Sequence, residues 1–231
     1  MVKKIIEEES GKLVDQPVMN SITIDCVVFG FDNGSLEVLL IKHARGISKG
    51  KWPLPGGWIK EEEDMHELTG LDNIYLEQLK AFGDPKRFPL GRVITIGYYA
   101  LVKKEDYNVK AGFTASDAKW FKINEIPNLI YDHNQILSFS LELLRNRVRQ
   151  APIGFNLLPE KYTLLQLMQL YEEILNVEMD KPNFRRKFLK MKLLVNLNEK
   201  QKDVSHRAAQ LYKFDPEIYK KLTDKGFNFE F

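Results

Sequence analysis

The chain of 231 residues has one cysteine, Cys26. A single thiol cannot close an internal disulfide, so no disulfide framework supports the fold. Cys26 stands inside an apolar run, where a cysteine acts as a small core residue rather than a nucleophile. Such sparse cysteine usage fits a reducing cytoplasm. Long hydrophobic runs are missing as well. A membrane span needs roughly 18–20 apolar residues, and the longest candidate, 93–102, is far shorter and contains Gly97. The polar N-terminus, with Glu7, Glu8 and Glu9, has no apolar signal-peptide core, so export is not expected. Neither an internal repeat nor a low-complexity tract occurs. Net charge is almost absent: 34 Lys+Arg against 32 Asp+Glu leave +2, a total that argues against a nucleic-acid binder. What remains is a globular composition, 44% hydrophobic and 29% charged, in a chain long enough for one large domain or two small ones.

Residues 21–31 are rich in Ile, Val and Phe and read as a buried strand. Asp32-Asn33-Gly34-Ser35 supplies turn chemistry, and 36–42 returns as a second strand. Pro53, Pro55, Gly56 and Gly57 make 52–58 a tight loop. Residues 73–82 carry a short helical or strand pattern, whereas 93–102 and 118–123 read as strands. A helix over 132–150 has Asp132 as candidate N-cap and Ile136, Phe139, Leu143 and Leu144 on one face. Its periodicity stops at Pro152, Gly154 and Pro159. The chain thus divides into 1–150 (with 1–20 as a loosely ordered lead-in), a linker 151–159, and 160–231. In the last part, Thr163 and Gln166 form a capping box for a helix over 163–175. Its buried stripe is Leu164, Leu167, Met168, Tyr171, Ile174 and Leu175. A second helix runs from the N-cap Asp180 to about Met191.

That second helix has two faces. Phe184, Phe188 and Met191 should point inward, while Asn183, Arg186, Lys187 and Lys190 share another side. A hairpin over 193–214 follows, with Lys200, Lys202, His206 and Arg207 near its tip. Helix, turn, basic helix, basic hairpin is the order of a winged helix-turn-helix, whose second helix enters the major groove of DNA. Charge is distributed accordingly: 181–213 carries a local +8, and the rest of the chain −6. Clustering of this kind is the footprint of phosphate contact. A merely solvated helix face is the plain alternative, and the coincidence with a helix-turn-helix and a wing favours DNA. The candidate DNA-binding residues are Asn183, Arg185, Arg186, Lys187, Lys190, Lys200, Lys202, His206 and Arg207. Arg186 suits guanine and Asn183 adenine. The lysines and Arg207 suit phosphates.

The segments Leu54-Pro55-Gly56-Gly57-Trp58, Glu63 and Glu67-Leu68-Thr69-Gly70-Leu71 resemble the Nudix box, which runs G, five residues, E, seven residues, R-E-U-x-E-E-x-G-U, with U apolar. In that family the box is a loop-helix-loop whose glutamates hold magnesium against a diphosphate. Two departures stand out. Leu68 occupies the second position of the E-E pair, and leucine cannot bind a metal. The box is also short: Gly57 and Gly70 lie 13 positions apart, so about two turns of helix are missing relative to the family. Either the chain has lost them, or the sequence as recorded omits about eight residues between Met65 and His66. Without the resemblance, Glu61, Glu62, Glu63, Asp64 and Glu67 read as an acidic surface loop leading into a helix.

A Nudix-like domain followed by a winged helix is similar to the Nudix-related transcriptional regulators, over about 23–214. The stretches that carry the likeness are 54–58, 67–71, 81–83, 92–100, 152–159 and 211–214. One branch of that family controls NAD biosynthesis and responds to ADP-ribose; another controls sugar catabolism and responds to L-arabinose. Pro-Ile-Gly-Phe-Asn-Leu-Leu-Pro at 152–159 and Leu-Tyr-Lys-Phe at 211–214 look most like the sugar branch. The resemblance implies an α+β chain, with an N-terminal Nudix-like α/β/α sandwich and a C-terminal winged helix-turn-helix. It further implies a cytoplasmic homodimer on palindromic operator DNA, released by a small-molecule effector, with L-arabinose ahead of ADP-ribose. No enzymatic activity, cofactor or metal is expected, Glu63 and Glu67 being remnants of the box. Candidate effector contacts near the family's cleft are Lys42, Trp52, Asp84, Arg87, Arg92 and Tyr98, of which Arg87 and Arg92 equally suit a phosphate. The competing readings are an active magnesium-dependent hydrolase and a module whose basic helix serves an acidic protein partner.

Overall fold

An apolar run such as 26–31 is stable only in the middle of a sheet covered on both faces, and it lies there. The computed structural model describes residues 5–6, 13–14, 21–59, 74–106, 115–202 and 207–231. Within the lead-in, β1 (Ile5–Ile6) and β2 (Leu13–Val14) pair antiparallel, so part of that segment is strand. Then come β3 (Ile22–Asp32), β4 (Ser35–His43), β5 (Gly56–Trp58), β6 (Tyr75–Phe82), β7 (Ile94–Leu101) and β8 (Ala115–Lys122). The ambiguous pattern at 73–82 is therefore a strand. The sheet order is β6-β7-β3-β4-β8, with β5 added to one end of β3. β3 runs parallel to β7 and antiparallel to β4 and β5. Asn33 and Gly34, at φ 47° and 77°, turn β3 into β4, the positive-φ pair that a tight hairpin demands. Gly56 is required by contact: a Cβ there would lie 2.1 Å from the Ile24 carbonyl oxygen.

Side chains alternate across this sheet. Val27, Phe29, Phe31, Val38, Leu40, Tyr99 and Leu101 belong to the main core, and Cys26, Val28, Ala100 and Val102 to a smaller cluster of their own. Cys26 is fully buried, with its thiol pushed up to about 12 by burial and then by the Asp25 charge, which fits a core residue. Against the main core lies α1 (His133–Gln150), burying Ile136, Leu137, Ser140, Leu144 and Val148; Phe139 and Leu143 flank that stripe, half-buried. Asp132 precedes α1 but its side chain makes no capping hydrogen bond. Its carboxylate is engaged by Arg87 instead.

The chain next forms a 3-10 turn, Pro152–Leu157, that is buried at Pro152, Ile153, Gly154, Phe155 and Leu157. Then follow β9 (Tyr162–Thr163), α2 (Leu164–Leu175), α3 (Lys181–Met191), β10 (Leu194–Lys200), β11 (Gln210–Phe214) and α4 (Pro216–Thr223). The capping box of α2 is present: Gln166 N–H donates to Thr163 Oγ1 (3.2 Å), and Thr163 N–H donates to Gln166 Oε1 (2.8 Å). Asp180 caps α3 through the Asn183 amide at 3.0 Å. Such caps each contribute about 1 kcal/mol. β11 lies between β10 and β9 in a three-stranded antiparallel sheet. One apolar cluster runs from β3 through α1 and the 3-10 turn to Phe188 in α3. Polar ties cross the same junction. The Leu36 amide donates to Glu173 (3.2 Å), Arg145 Nε to the Ile174 carbonyl (2.9 Å), and the Phe231 amide to the Arg149 carbonyl (2.9 Å). Among the described residues no helix is long and apolar enough to cross a membrane.

Candidate functional site

On α3 the amphipathic pattern sorts side chains as the spacing predicts. Phe184 and Phe188 are buried against Tyr171 and Phe231, while Asn183, Arg185, Arg186, Lys187 and Lys190 are exposed. Arg186 donates to the Asn183 side-chain oxygen, so the two candidate base readers are oriented together. The Lys187 ammonium sits over the Phe231 ring at 4.7 Å, which holds its stem against the helix. Lys200, Lys202 and Arg207 are exposed along the β10–β11 hairpin; His206 lies outside the described residues. Arg185 is on a different flank of α3 from Asn183, Arg186 and Lys190. It lines the cleft toward the β3–β4 turn, together with Arg207.

Among the six effector candidates, Lys42 and Trp52 meet each other, and the others have partners of their own. Lys42 lies 5.5 Å above the Trp52 ring, which packs edge-on against Phe121. Asp84 accepts the Lys86 amide, and Arg92 donates to the Gly83 carbonyl, so both order the 83–93 loop. Tyr98 donates to Gln78 at 3.0 Å. Arg87 points inward, with its side chain 5% exposed, and bridges Asp132 (2.8 Å) and Asp25 (3.2 Å). Burial opposes its charge, but the hydrogen bonds and charges of Asp132 and Asp25 outweigh burial and hold the guanidinium ionised. Its role in the structure is to tie the 83–93 loop to β3 and to the start of α1.

Beside this triad stands His133. The Leu54 amide of the tight loop donates to its Nδ1 at 3.0 Å, and its Nε2 lies 3.7 Å from Asp25. Burial, the largest influence, lowers its pKa and keeps the ring neutral, against the pull of Asp25 and Asp132. That state leaves Nδ1 free to accept the Leu54 amide. A second cluster centres on Glu77, which accepts from Tyr75 and Tyr99 (both 2.6 Å) and from Arg147 of α1 (2.8 Å). Burial would raise the Glu77 pKa, but these hydrogen bonds and the Arg147 charge lower it. Asp25, His133 and Glu77 are not among the candidates that residue type and motif single out. Asp25 carried the available signal: a carboxylate inside an apolar strand has to find a partner.

Four likenesses bear on what these surfaces do. Residues 154–214 match the family model of the NrtR DNA-binding winged helix domain. The chain is 31% identical over 220 residues to the ADPR responsive transcriptional repressor NtrR of Acinetobacter baylyi, covering 90% of this chain and 85% of that one. The chain belongs to the Nudix-related transcriptional regulator family. Its fold also matches the crystal structure of Shewanella oneidensis NrtR complexed with a 27mer DNA. That match has 27% identity, a TM-score of 0.73, and coverage of 90% of this chain and 97% of that one. A further relative, the ADP-ribose pyrophosphatase of Methanocaldococcus jannaschii, is 32% identical over 143 residues, 58% of this chain and 81% of that protein.

These relatives overturn the expectation of an arabinose regulator, since the repressor matched over most of the chain is named for ADP-ribose. The structure supplies the physical reason. The stretches read as marks of the sugar branch are packing residues: Ile153, Phe155, Leu157, Leu158 and Tyr212 are buried, and Phe155 stacks on Phe214 at 4.4 Å. They report the demands of the winged-helix core. The box residues Glu63, Glu67 and Leu68, and the interval between Met65 and His66, lie outside the described residues. Among the described residues no three His, Cys, Asp or Glu side chains converge as a metal site would require.

Proposed function

We propose that this Nudix-related regulator is a homodimeric transcriptional repressor of NAD-metabolism genes that leaves its operator when ADP-ribose binds the Nudix-like part. The observation that carries the DNA-binding half is the exposed face of α3, Asn183-Arg186-Lys187-Lys190, presented beside a basic wing. A two-fold dimer places two such helices in successive major grooves, so palindromic half-sites about one helical turn apart follow from symmetry. Support for the effector is the 31% identity to an ADPR responsive repressor over most of the chain. Of the effector candidates, Lys42, Trp52, Asp84, Arg92 and Tyr98 are the ones with partly or fully exposed surface for a ligand. Domain limits of 1–150, 151–159 and 160–231 go with this reading.

The same chain is proposed to lack hydrolase activity. Leu68 stands where the family's box carries a metal-binding glutamate, and diphosphate cleavage in this family needs oxygen ligands on magnesium.

Fluorescence anisotropy with the promoter beside the chain's own gene tests the proposal. Binding should be sequence-selective and salt-dependent, and ADP-ribose should weaken it while L-arabinose does not. Absence of a sequence preference defeats the DNA half, and indifference to ADP-ribose defeats the effector half. Release of AMP from ADP-ribose in magnesium buffer defeats the claim of inactivity.

A further inference from the structure

Between the β3–β4 turn and the winged helix lies a cleft of about 920 Å³, within the usual range for small-molecule sites. Its floor is the 32–34 turn and the 3-10 turn Lys104–Asp106 with the preceding Lys103. Its roof is the first turn of α2 and the Arg185 flank of α3. Lys181 and Arg185 are four residues apart, so they stand one above the other on that flank, turned away from the Asn183-Arg186-Lys190 face.

The charges in this cleft are unbalanced. Asp32 and Lys104 satisfy each other at 3.1 Å, and Lys104 also binds Glu37. Glu105 is the other carboxylate of the lining. Lys103, Lys181 and Arg185 line the cleft from two different parts of the fold and make no ion pair among the described residues. Arg207 and Thr163 also line the cleft, with amides and apolar side chains. Asn33, Gln169 and Gln201 offer amides, and Leu164 and Leu165 offer an apolar wall, Leu165 being 42% exposed. Lys103, Lys181 and Arg185 face one carboxylate unpaired among the described residues, Glu105, and an anion in the cleft offsets the excess positive charge.

We propose that this cleft binds a nucleoside phosphate, at a site separate from the effector site considered above. Lys103, Lys181 and Arg185 take the phosphate. The amides take the sugar hydroxyls, and the Leu164–Leu165 wall takes the base. A ligand there touches both the sheet and α3, so its occupancy biases how the two are set relative to each other. The proposal does not rest on the identity of the effector.

Equilibrium dialysis of the full chain with AMP tests it. Saturable binding of AMP is expected, and inorganic phosphate should bind at least about tenfold more weakly. Lys103→Ala and Arg185→Ala, both on partly or fully exposed side chains, should each weaken AMP about tenfold or more while leaving the melting temperature unchanged. Lys103→Gln and Arg185→Gln serve as second variants if either alanine substitution lowers it. Arg92→Ala and Lys190→Ala should leave AMP binding as it is. The proposal fails if the chain does not bind AMP, if phosphate alone binds as tightly, or if the Lys103 and Arg185 variants bind like the parent. Equal loss on Lys190→Ala also overturns it, since that result marks nonspecific attraction to the basic face. Equal loss on Arg92→Ala overturns it too, because AMP is then held beside the 83–93 loop.

Discussion

At Arg87 one guanidinium is held between two buried carboxylates, Asp25 and Asp132. Arg87→Ala leaves both of them unpaired in the core, and breaking a buried pair in this way costs about 3–5 kcal/mol. Urea unfolding should show a loss of that size, and a loss under 1 kcal/mol would mean the triad is not what holds the 83–93 loop. Tyr171 makes the opposite case. Its hydroxyl is fully buried with no hydrogen-bond partner among the described residues, and burial raises its pKa. Tyr171→Phe removes a desolvated polar group and keeps the ring packed on Phe188, so the variant should gain about 1 kcal/mol. A loss of stability in the same measurement would reveal a partner for that oxygen. His133 sets a pH dependence. Its folded pKa is lowered, so its contribution is whole above the unfolded value of about 6.5 and declines as pH falls toward the folded value. Protonation would also displace the Leu54 amide from Nδ1. The melting temperature should therefore fall between pH 7.5 and 5.5, and less so in His133→Gln, whose amide oxygen still accepts from Leu54. Equal slopes in the two proteins would assign the acid sensitivity to other groups. None of these three roles was legible from residue type alone, because each depends on which neighbours the fold brings within hydrogen-bond reach.

Among the elements, α2 and α3 were legible because their ends are written locally. Thr163 and Gln166 close a capping box, and Asp180 caps α3 one residue before its first turn. β6 was not, since a short apolar pattern such as 75–82 fits both periods until β7 fixes it by pairing. Asp132 had the right type and place for an N-cap, but a buried arginine outcompeted the helix amides for its carboxylate. The α3 face gives the sharpest expectation at this scale. Arg186→Ala should weaken operator binding about 10- to 100-fold and relax preference at one base position, as expected for loss of a bidentate base contact. Lys190→Ala should weaken all sequences alike and lower the salt slope by about one unit. If the two variants behave identically across operator sequences, the division into base reader and phosphate contact is wrong. The candidate effector set shows the limit of reading a cleft from residue types. Lys42 and Trp52 meet each other, whereas Arg92 and Tyr98 are engaged by Gly83 and Gln78.

For the molecule as a whole, a net charge of +2 conceals a basic 181–213 region set against an acidic remainder. That asymmetry was visible in the sequence; the continuity of the core was not. Buried apolar residues run from β3 into α3 without a break, and Phe231 packs against Tyr171 at 4.3 Å while its amide holds the end of α1. Calorimetry should accordingly record one cooperative unfolding transition. Two well-separated transitions would show that the halves melt independently.

The 3-10 turn Pro152–Leu157 has a consequence for the descent and engineering of such proteins. A stretch that reads in sequence as a linker is an interior wall that both halves share, with Phe155 wedged against Phe214 and Leu157 sealed from solvent. The two halves cannot then be traded by cutting at the prolines. A chimera that places a different N-terminal domain on this winged helix must inherit the turn with it. A protease should find no purchase between residues 151 and 159 while the protein remains native.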